Sequence, residues 1–271
     1  MNDMIVDFHF HSWYSEDCRR NRDPVGYVEA GIEMGASILC FADHVDIDFP
    51  ERNITFDTAD YTACMHGLRE KYKDKIDIRM GVEVGMQPHI AKECDDFVKS
   101  APFDFVICST HLIQKLRPSI RLYKEFLERF PEEHEGTEAY LLDTLANIKA
   151  FDNFDVYGHL DGLTRSCYGV PFSYRDHADL VDEILKTLLE KGKGIELNSG
   201  GFGHWGYGSP SPDVLKRYRE LGGEIITLGS DAHAPDDLCA YMVRAKAELV
   251  ARGFEYFTVF KDRKPEFIKL T

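Results

Sequence analysis

Met4-Ile5-Val6-Asp7-Phe8-His9-Phe10-His11 is an apolar run that ends in two histidines spaced two apart. On an extended chain, residues i and i+2 share a face, so His9 and His11 point the same way. The pattern recurs down the chain. Strand-sized apolar runs are expected at Met4–Phe10, Ser37–Ala42, Ile76–Val84, Phe103–Ser109, Phe154–Gly158, Gly194–Asn198 and Glu224–Gly229. Amphipathic segments between and after them predict helices at Pro24–Met34, Ala59–Tyr72, Pro88–Ser100, Thr137–Phe151, Asp176–Glu190, Pro212–Leu221 and Asp236–Arg252. Pro24 after Asp23 and Pro212 after Ser211 supply a capping side chain followed by a residue with no N–H to leave unpaired. Gly35, Gly192, Gly222 and Gly253 mark helix ends.

Strand–helix alternation at this spacing implies parallel strands joined by crossover helices. About seven such units fit a closed barrel. An open doubly wound sheet is the competitor, but no G-x-G-x-x-G follows the first strand. No shift in composition marks a second domain, so residues 1–271 are expected to form a single barrel domain. Gln114–Glu135 reads as an irregular insertion whose acidic tip, Pro131-Glu132-Glu133-His134-Glu135, is a solvated loop.

Composition limits the function. The 271 residues carry a net charge of −15, which argues against a protein that tracks a nucleic-acid backbone with a basic footprint. No apolar run approaches the roughly 18 residues a membrane span needs. The 7 cysteines are scattered, with no C-x-x-C pair, and Cys40 and Cys108 fall inside apolar runs, as buried thiols do. This favours a reducing compartment, and with no secretory signal visible the expected location is the cytoplasm.

The residues directly after each strand carry the chemistry. After the first come His9 and His11. Asp43-His44 follows the second, and Gly81-Val82-Glu83 closes the third. Ser109-Thr110-His111 ends the fourth, and Gly158-His159-Leu160-Asp161 the fifth. Asn198-Ser199-Gly200-Gly201 follows the sixth and Ser230-Asp231-Ala232-His233 the seventh. In a parallel barrel these strand ends share one mouth. One histidine after a strand is commonly incidental, but 6 of the 11 histidines lie at strand ends. Imidazoles mixed with carboxylates suit zinc, manganese or iron rather than an all-oxygen calcium site. His66 and His177 on helices, His134 in the acidic tip and His89 at a helix start are read as non-functional. His204, in the Gly-rich stretch Gly200–Gly208, stays open.

Together these motifs resemble the PHP superfamily, the polymerase and histidinol phosphatase metallohydrolases. Within it, the chain looks most like the monofunctional histidinol-phosphate phosphatases. The pointers are G-H-L-D at Gly158–Asp161 with Arg165 shortly after, Ile195-Glu196-Leu197-Asn198, and the tail Phe257-Thr258-Val259-Phe260-Lys261-Asp262-Arg263-Lys264-Pro265. The resemblance implies a distorted (β/α)7 barrel with three divalent metals (zinc, manganese or iron) at the C-terminal ends of the strands. His9, His11, Glu83 and Asp231 would hold the first. Glu83 would bridge to the second, with His111 and His159. His44 and His233 would hold the third with one ligand from the loop after strand one. Many relatives have a histidine in that loop; here Asp17 is the expected ligand and Glu16 the fallback.

The activity implied is hydrolysis of L-histidinol phosphate, a step of histidine biosynthesis, by a hydroxide bridging two metals. Arg165 and the third metal would hold phosphoryl oxygens, since arginine's planar fork pairs with two oxygens at once. Asp231 or a metal-bound water would protonate the leaving alkoxide. Ser199 and His204 are further substrate-binding candidates, although a lid or a backbone N–H nest fits their loop slightly better. Asp161, Asp46, Asp48 and Glu16 are open candidates for the substrate's cationic groups, each read equally as a solvated carboxylate or one that supports a ligand. The alternatives are another PHP-type phosphoesterase (a nuclease, a nucleotide phosphodiesterase or a protein-tyrosine phosphatase) and, outside enzymes, a degenerate metal-binding domain. The oligomeric state is left open.

Overall fold

The computed structural model describes residues 4–18, 22–50, 52–116 and 123–270. Seven parallel strands form the frame: β1 (Ile5–Asp7), β2 (Ala36–Phe41), β5 (Asp77–Gly85), β6 (Phe105–Ser109), β7 (Val156–Tyr157), β8 (Gly194–Asn198) and β9 (Ile226–Gly229), hydrogen-bonded in that order. Between β9 and β1 no ladder forms, yet Phe8 N–H donates to Leu228 O (2.9 Å) and Asp231 N–H to His9 O (2.6 Å). The sheet is therefore nearly closed, with helices outside it.

The remaining strands were not legible as strands. β3 (His44–Phe49) leaves β2 after only two residues, and β4 (Arg52–Ile54) folds back on it. β3 keeps the register of β2 against β5: Phe41 pairs Met80 and His44 pairs Glu83. The two are one strand interrupted at Ala42-Asp43. Asp43, fully buried, turns there to accept from Ser12 N–H, Ser12 Oγ, Ser15 N–H and Ser15 Oγ. The acids Asp46 and Asp48 disguise β3, because an apolar-run reading skips alternating acids.

β10 (Tyr256–Lys261) and β11 (Lys264–Lys269) form a separate antiparallel hairpin. Its two-residue turn puts both Asp262 (φ 49°) and Arg263 (φ 64°) in the left-handed region, a conformation usually given to Asn-Gly. The turn is held by the barrel floor instead. Asp262 N–H donates to Asp104 Oδ1 (3.1 Å) and Arg263 N–H to Asp104 O (2.9 Å). The Arg263 guanidinium reaches Asp155 Oδ2 (2.6 Å) and Asn153 Oδ1 (3.0 Å). Phe260 packs on Phe105 (5.0 Å between centroids), and Phe105 on Phe8 (5.5 Å). The hairpin thus covers the N-terminal ends of β6 and β7, opposite the mouth.

Three helix expectations need correction. The last helix begins only at Met242, not Asp236. Before it, Cys239 (φ 55°) and Tyr241 (φ 59°) turn the chain, and Cys239 N–H is tied to the buried Asp7 carboxylate (2.8 Å). The acidic tip is not wholly loop: Glu133–Ala150 is helical, with Glu133 and Glu135 in its first turn, where negative charge offsets the helix dipole. Further helices occupy Tyr123–Arg129, Gly162–Tyr168 and Gly201–Trp205. The last lies in the stretch expected to be a lid; Phe202, buried, anchors it. The 7 cysteines are all free thiols, and among the described residues no helix is long and apolar enough to cross a membrane.

Replacing Arg263 by Ala would leave Asp155, only 8% exposed, without its cation. We expect a loss of about 2 kcal/mol, which at roughly 2–4 °C per kcal/mol lowers Tm by several degrees. Activity at 25 °C should be unaffected. A Tm within a degree of the parent would show that the hairpin is not held this way.

Candidate metal centre

The strand ends converge as the parallel order requires. His9 and His11 leave β1, His44 opens β3, Glu83 lies on β5, and His111, His159, Asp231 and His233 follow β6, β7 and β9. Asp17 comes from a 3-10 turn, Glu16–Cys18, in the loop after β1. His159 (φ 27°) and Asp231 (φ 58°) both have positive φ, a strain of about 1–3 kcal/mol for a side-chain-bearing residue and one that clusters at functional sites.

The hydrogen bonds behind the imidazoles set which nitrogen faces the centre. His9 Nδ1 lies 2.6 Å from Glu196 Oε1, an acceptor, so that nitrogen carries the proton and Nε2 presents a lone pair. His11 Nδ1 lies 3.1 Å from Ser15 Oγ, whose own proton goes to Asp43. His11 therefore donates there and also presents Nε2. These two bare nitrogens stand 3.1 Å apart. Asp231 Oδ1 is 3.0 Å from His11 Nε2 and 3.6 Å from His9 Nε2; Glu83 Oε2 is 3.4 Å from His9 Nε2. Four acceptors face one another, an arrangement stable only with positive charge among them.

Glu83 joins this group to the next. Its Oε1 meets His111 Nε2 (3.2 Å) and His159 Nε2 (2.9 Å), and accepts from Ser109 Oγ (2.7 Å). His111 Nδ1 is turned back onto Asp46 Oδ1 (2.6 Å), again leaving Nε2 for the centre. In a third group, His233 Nδ1 donates to Asp231 O (2.9 Å), so its Nε2 faces Asp17 Oδ2 (3.1 Å); His44 Nε2 is 3.6 Å from the same oxygen. Glu83 Oε2 and His44 Nδ1 are buried, 2.8 Å apart, and neither makes a hydrogen bond. Ligands about 2.0–2.2 Å from a transition metal lie about 3.0–3.5 Å from each other, which is the spacing seen here. The orphaned atoms and the nitrogen–oxygen donor set both fit divalent metal.

The electrostatics agree. Burial alone would raise the Glu83 carboxyl, but His9, His111 and His44 overcome it and hold it well below the usual carboxylate range. Asp231 and Asp17 are likewise held down by their histidines against burial. Burial works against charge on His111, yet Asp46 and Glu83 push it up to about 10. The centre strongly attracts positive charge, and a proton and a metal ion compete for the same lone pairs.

Other expected residues are placed elsewhere. Glu16 is paired with Arg52, not with His44 or His233. Of the acids considered for the substrate's cationic groups, Asp46 orients His111, Asp48 meets His89 (2.7 Å), and Asp161 is buried, accepting from Ser209 Oγ (2.6 Å) and Ser211 N–H (2.5 Å). Ser199 is buried and its hydroxyl proton is spent on Ala240 O (2.6 Å). Arg165 lies on the helix Gly162–Tyr168 and His204 on Gly201–Trp205; their side chains fall outside the described residues. Sequence reading missed the supports: Glu196 behind His9, Ser15 and Asp43 behind His11, Ser109 on Glu83, and Asn198 Nδ2, which donates to Asp231 Oδ2 (3.2 Å). For Glu196 the signal was an acid inside an otherwise apolar run, Gly194-Ile195-Glu196-Leu197.

The PHP domain family model matches residues 7–200. The chain belongs to the PHP family. Among curated proteins, this PHP chain is 32% identical over 267 residues to the histidinol-phosphatase of Lactococcus lactis, covering 96% of this chain and 95% of that protein. It is also similar to a solved histidinol phosphate phosphatase of Lactococcus lactis complexed with zinc, L-histidinol and phosphate, with TM-score 0.86, 29% identity, and 96% and 98% of the two chains covered. A solved protein of Listeria monocytogenes shares the fold, with TM-score 0.74 at 18% identity over 88% of this PHP chain and 99% of that chain.

Gly85 is part of the design of the centre. A Cβ there would fall inside the Asp46 carboxylate and press on His111 Nδ1. Gly85→Ala should weaken metal binding by about 10–100-fold, the usual cost of disturbing a ligand's support, read by chelator competition. Unchanged affinity would remove Asp46 from the centre. Loading the chelated protein with zinc to a thousandfold excess over Kd should stabilise it by about 4 kcal/mol, a rise of roughly 10 °C in Tm. A Tm indifferent to chelation would contradict the reading of the centre.

Proposed function

We propose that the chain is a metal-dependent phosphomonoesterase that hydrolyses L-histidinol phosphate to L-histidinol and phosphate. The observation that carries this reading is the meeting of six imidazoles with Glu83, Asp231 and Asp17 at one barrel mouth, in a chain similar along nearly its whole length to a histidinol-phosphatase. The convergence supplies the chemistry, and the similarity supplies the substrate.

In this reading three ions are held. His9, His11, Glu83 and Asp231 take one; Glu83, His111 and His159 the second; Asp17, His44 and His233 the third. When bound, such ions polarise phosphoryl oxygens and lower the pKa of coordinated water. The protein's own part is placement. Ser15 and the carboxylates of Glu196 and Asp46 fix the orientation of His11, His9 and His111, so each turns Nε2, the nitrogen for which proton and metal compete, toward the centre. Asn198 holds one oxygen of Asp231 and leaves the other toward His11. Asp231 stays ionised, which suits it to ligation and to accepting a proton transiently rather than storing one. Arg165, six residues past His159 on the following helix, is assigned to the phosphoryl oxygens. The floor hairpin completes the same unit, and we read residues 1–271 as one catalytic domain.

The test is phosphate release from L-histidinol phosphate, with bis-p-nitrophenyl phosphate as the diester control. The monoester should be turned over and the diester barely touched, and chelation should abolish the reaction. Arg165→Ala should lower kcat/KM by roughly 10–100-fold, as expected for loss of a charged hydrogen bond worth about 1.5–3 kcal/mol. Turnover of the diester in preference, or full activity after chelation, would overturn the assignment.

A further inference from the structure

Glu196 makes two contacts that no single-ligand role requires. Its Oε1 takes the His9 Nδ1 proton at 2.6 Å, and its Oε2 accepts the backbone N–H of His159 at 3.1 Å. The side chain is 1% exposed, in a strand whose other side chains are mostly apolar. Space is reserved for it. A Cβ on Gly229 would overlap Glu196 Oε1 and the His9 Cβ. His159 needs such a hold, because its φ of 27° is one that a side-chain-bearing residue adopts only when its surroundings impose it.

We infer that Glu196 is a positioning residue that couples the first two metal positions, making His9 and His159 competent together. The inference rests on the proposed metal centre. Through Oε1, Glu196 fixes the tautomer that exposes His9 Nε2 to Glu83 Oε2 and Asp231. Through Oε2, it pins the strained backbone that aims His159 Nε2 at Glu83 Oε1. Glu83 joins the two positions from the front, and Glu196 joins them from behind. Among the described residues, neither of these hydrogen bonds goes to the third group, Asp17, His44 and His233.

Glu196→Gln tests this with little change of shape. A carboxylate accepts at both ends, but an amide accepts at one and presents N–H at the other. The variant must therefore fail either His9 Nδ1–H or His159 N–H. Zinc affinities would be measured by chelator competition and stoichiometry by elemental analysis, with Tm taken for the chelated and zinc-loaded forms. We expect the two positions that share Glu83 to weaken together by about 10–100-fold, the third to keep its affinity, and kcat to recover at saturating zinc. The chelated variant should melt within about a degree of the chelated parent, or higher, because a buried carboxylate has been neutralised. Parent-like affinities, loosening of only one position, or an equal Tm loss in both forms would overturn the inference, the last by showing a purely structural role. A parent that binds no zinc would instead overturn the proposed centre on which it stands.

Discussion

The molecule is organised around one buried carboxylate. Glu83 is fully buried on strand β5, with His9 and His44 at one oxygen and His111 and His159 at the other. Isolated, such a charge would be costly to bury. Here the cost is offset by imidazoles whose protons are turned outward to Glu196 and Asp46 and whose lone pairs are turned inward. The arrangement demands cations, and the barrel supplies them a site by bringing the ends of separate strands to one rim.

The fold serves that demand in layers. At the floor, Phe8, Phe105 and Phe260 fill the space between strands, and the hairpin turn at Asp262-Arg263 is tied to Asp104 and Asp155. At the rim, apolar side chains give way to the imidazoles and carboxylates of the candidate centre and to the acids and hydroxyls behind them. Two breaks in regularity separate these layers. The interruption of β2–β3 at Asp43 lets one carboxylate hold the loop that carries Ser15 and leads to Asp17. At the junction of β9 and β1, where a few backbone hydrogen bonds replace a ladder, Asp231 reaches His9 and His11. Glycines at 85 and 229 keep the space beside Asp46 and Glu196 empty, so substitutions there would disturb the centre before they disturb the barrel.

The residues that meet at the mouth were legible because, Asp17 apart, each lies at the end of a strand-sized apolar run, and parallel topology then decides where they meet. Their supports were harder to read. Glu196 reads only as part of a motif, and Asp46 as one of several acids with open roles, until coordinates set them behind His9 and His111. The choice between the two loop acids needed coordinates too: Glu16 and Asp17 are adjacent in sequence, but Arg52 takes Glu16, and His44 and His233 face Asp17. β3 was hidden by its alternating acids, and the hairpin by a turn without Asn-Gly. The last helix starts later than its pattern suggests because nothing local reveals that Cys239 N–H is bound to Asp7, more than two hundred residues away.

The central claim is that these facing lone pairs are held together by metal ions. Anomalous diffraction from crystals of the protein, collected at the absorption edge of the metal found in it, tests this most directly. The account predicts strong peaks about 2.0–2.2 Å from His9 Nε2, Glu83 and His159 Nε2. A map without peaks among these side chains, from protein active on L-histidinol phosphate, would contradict it.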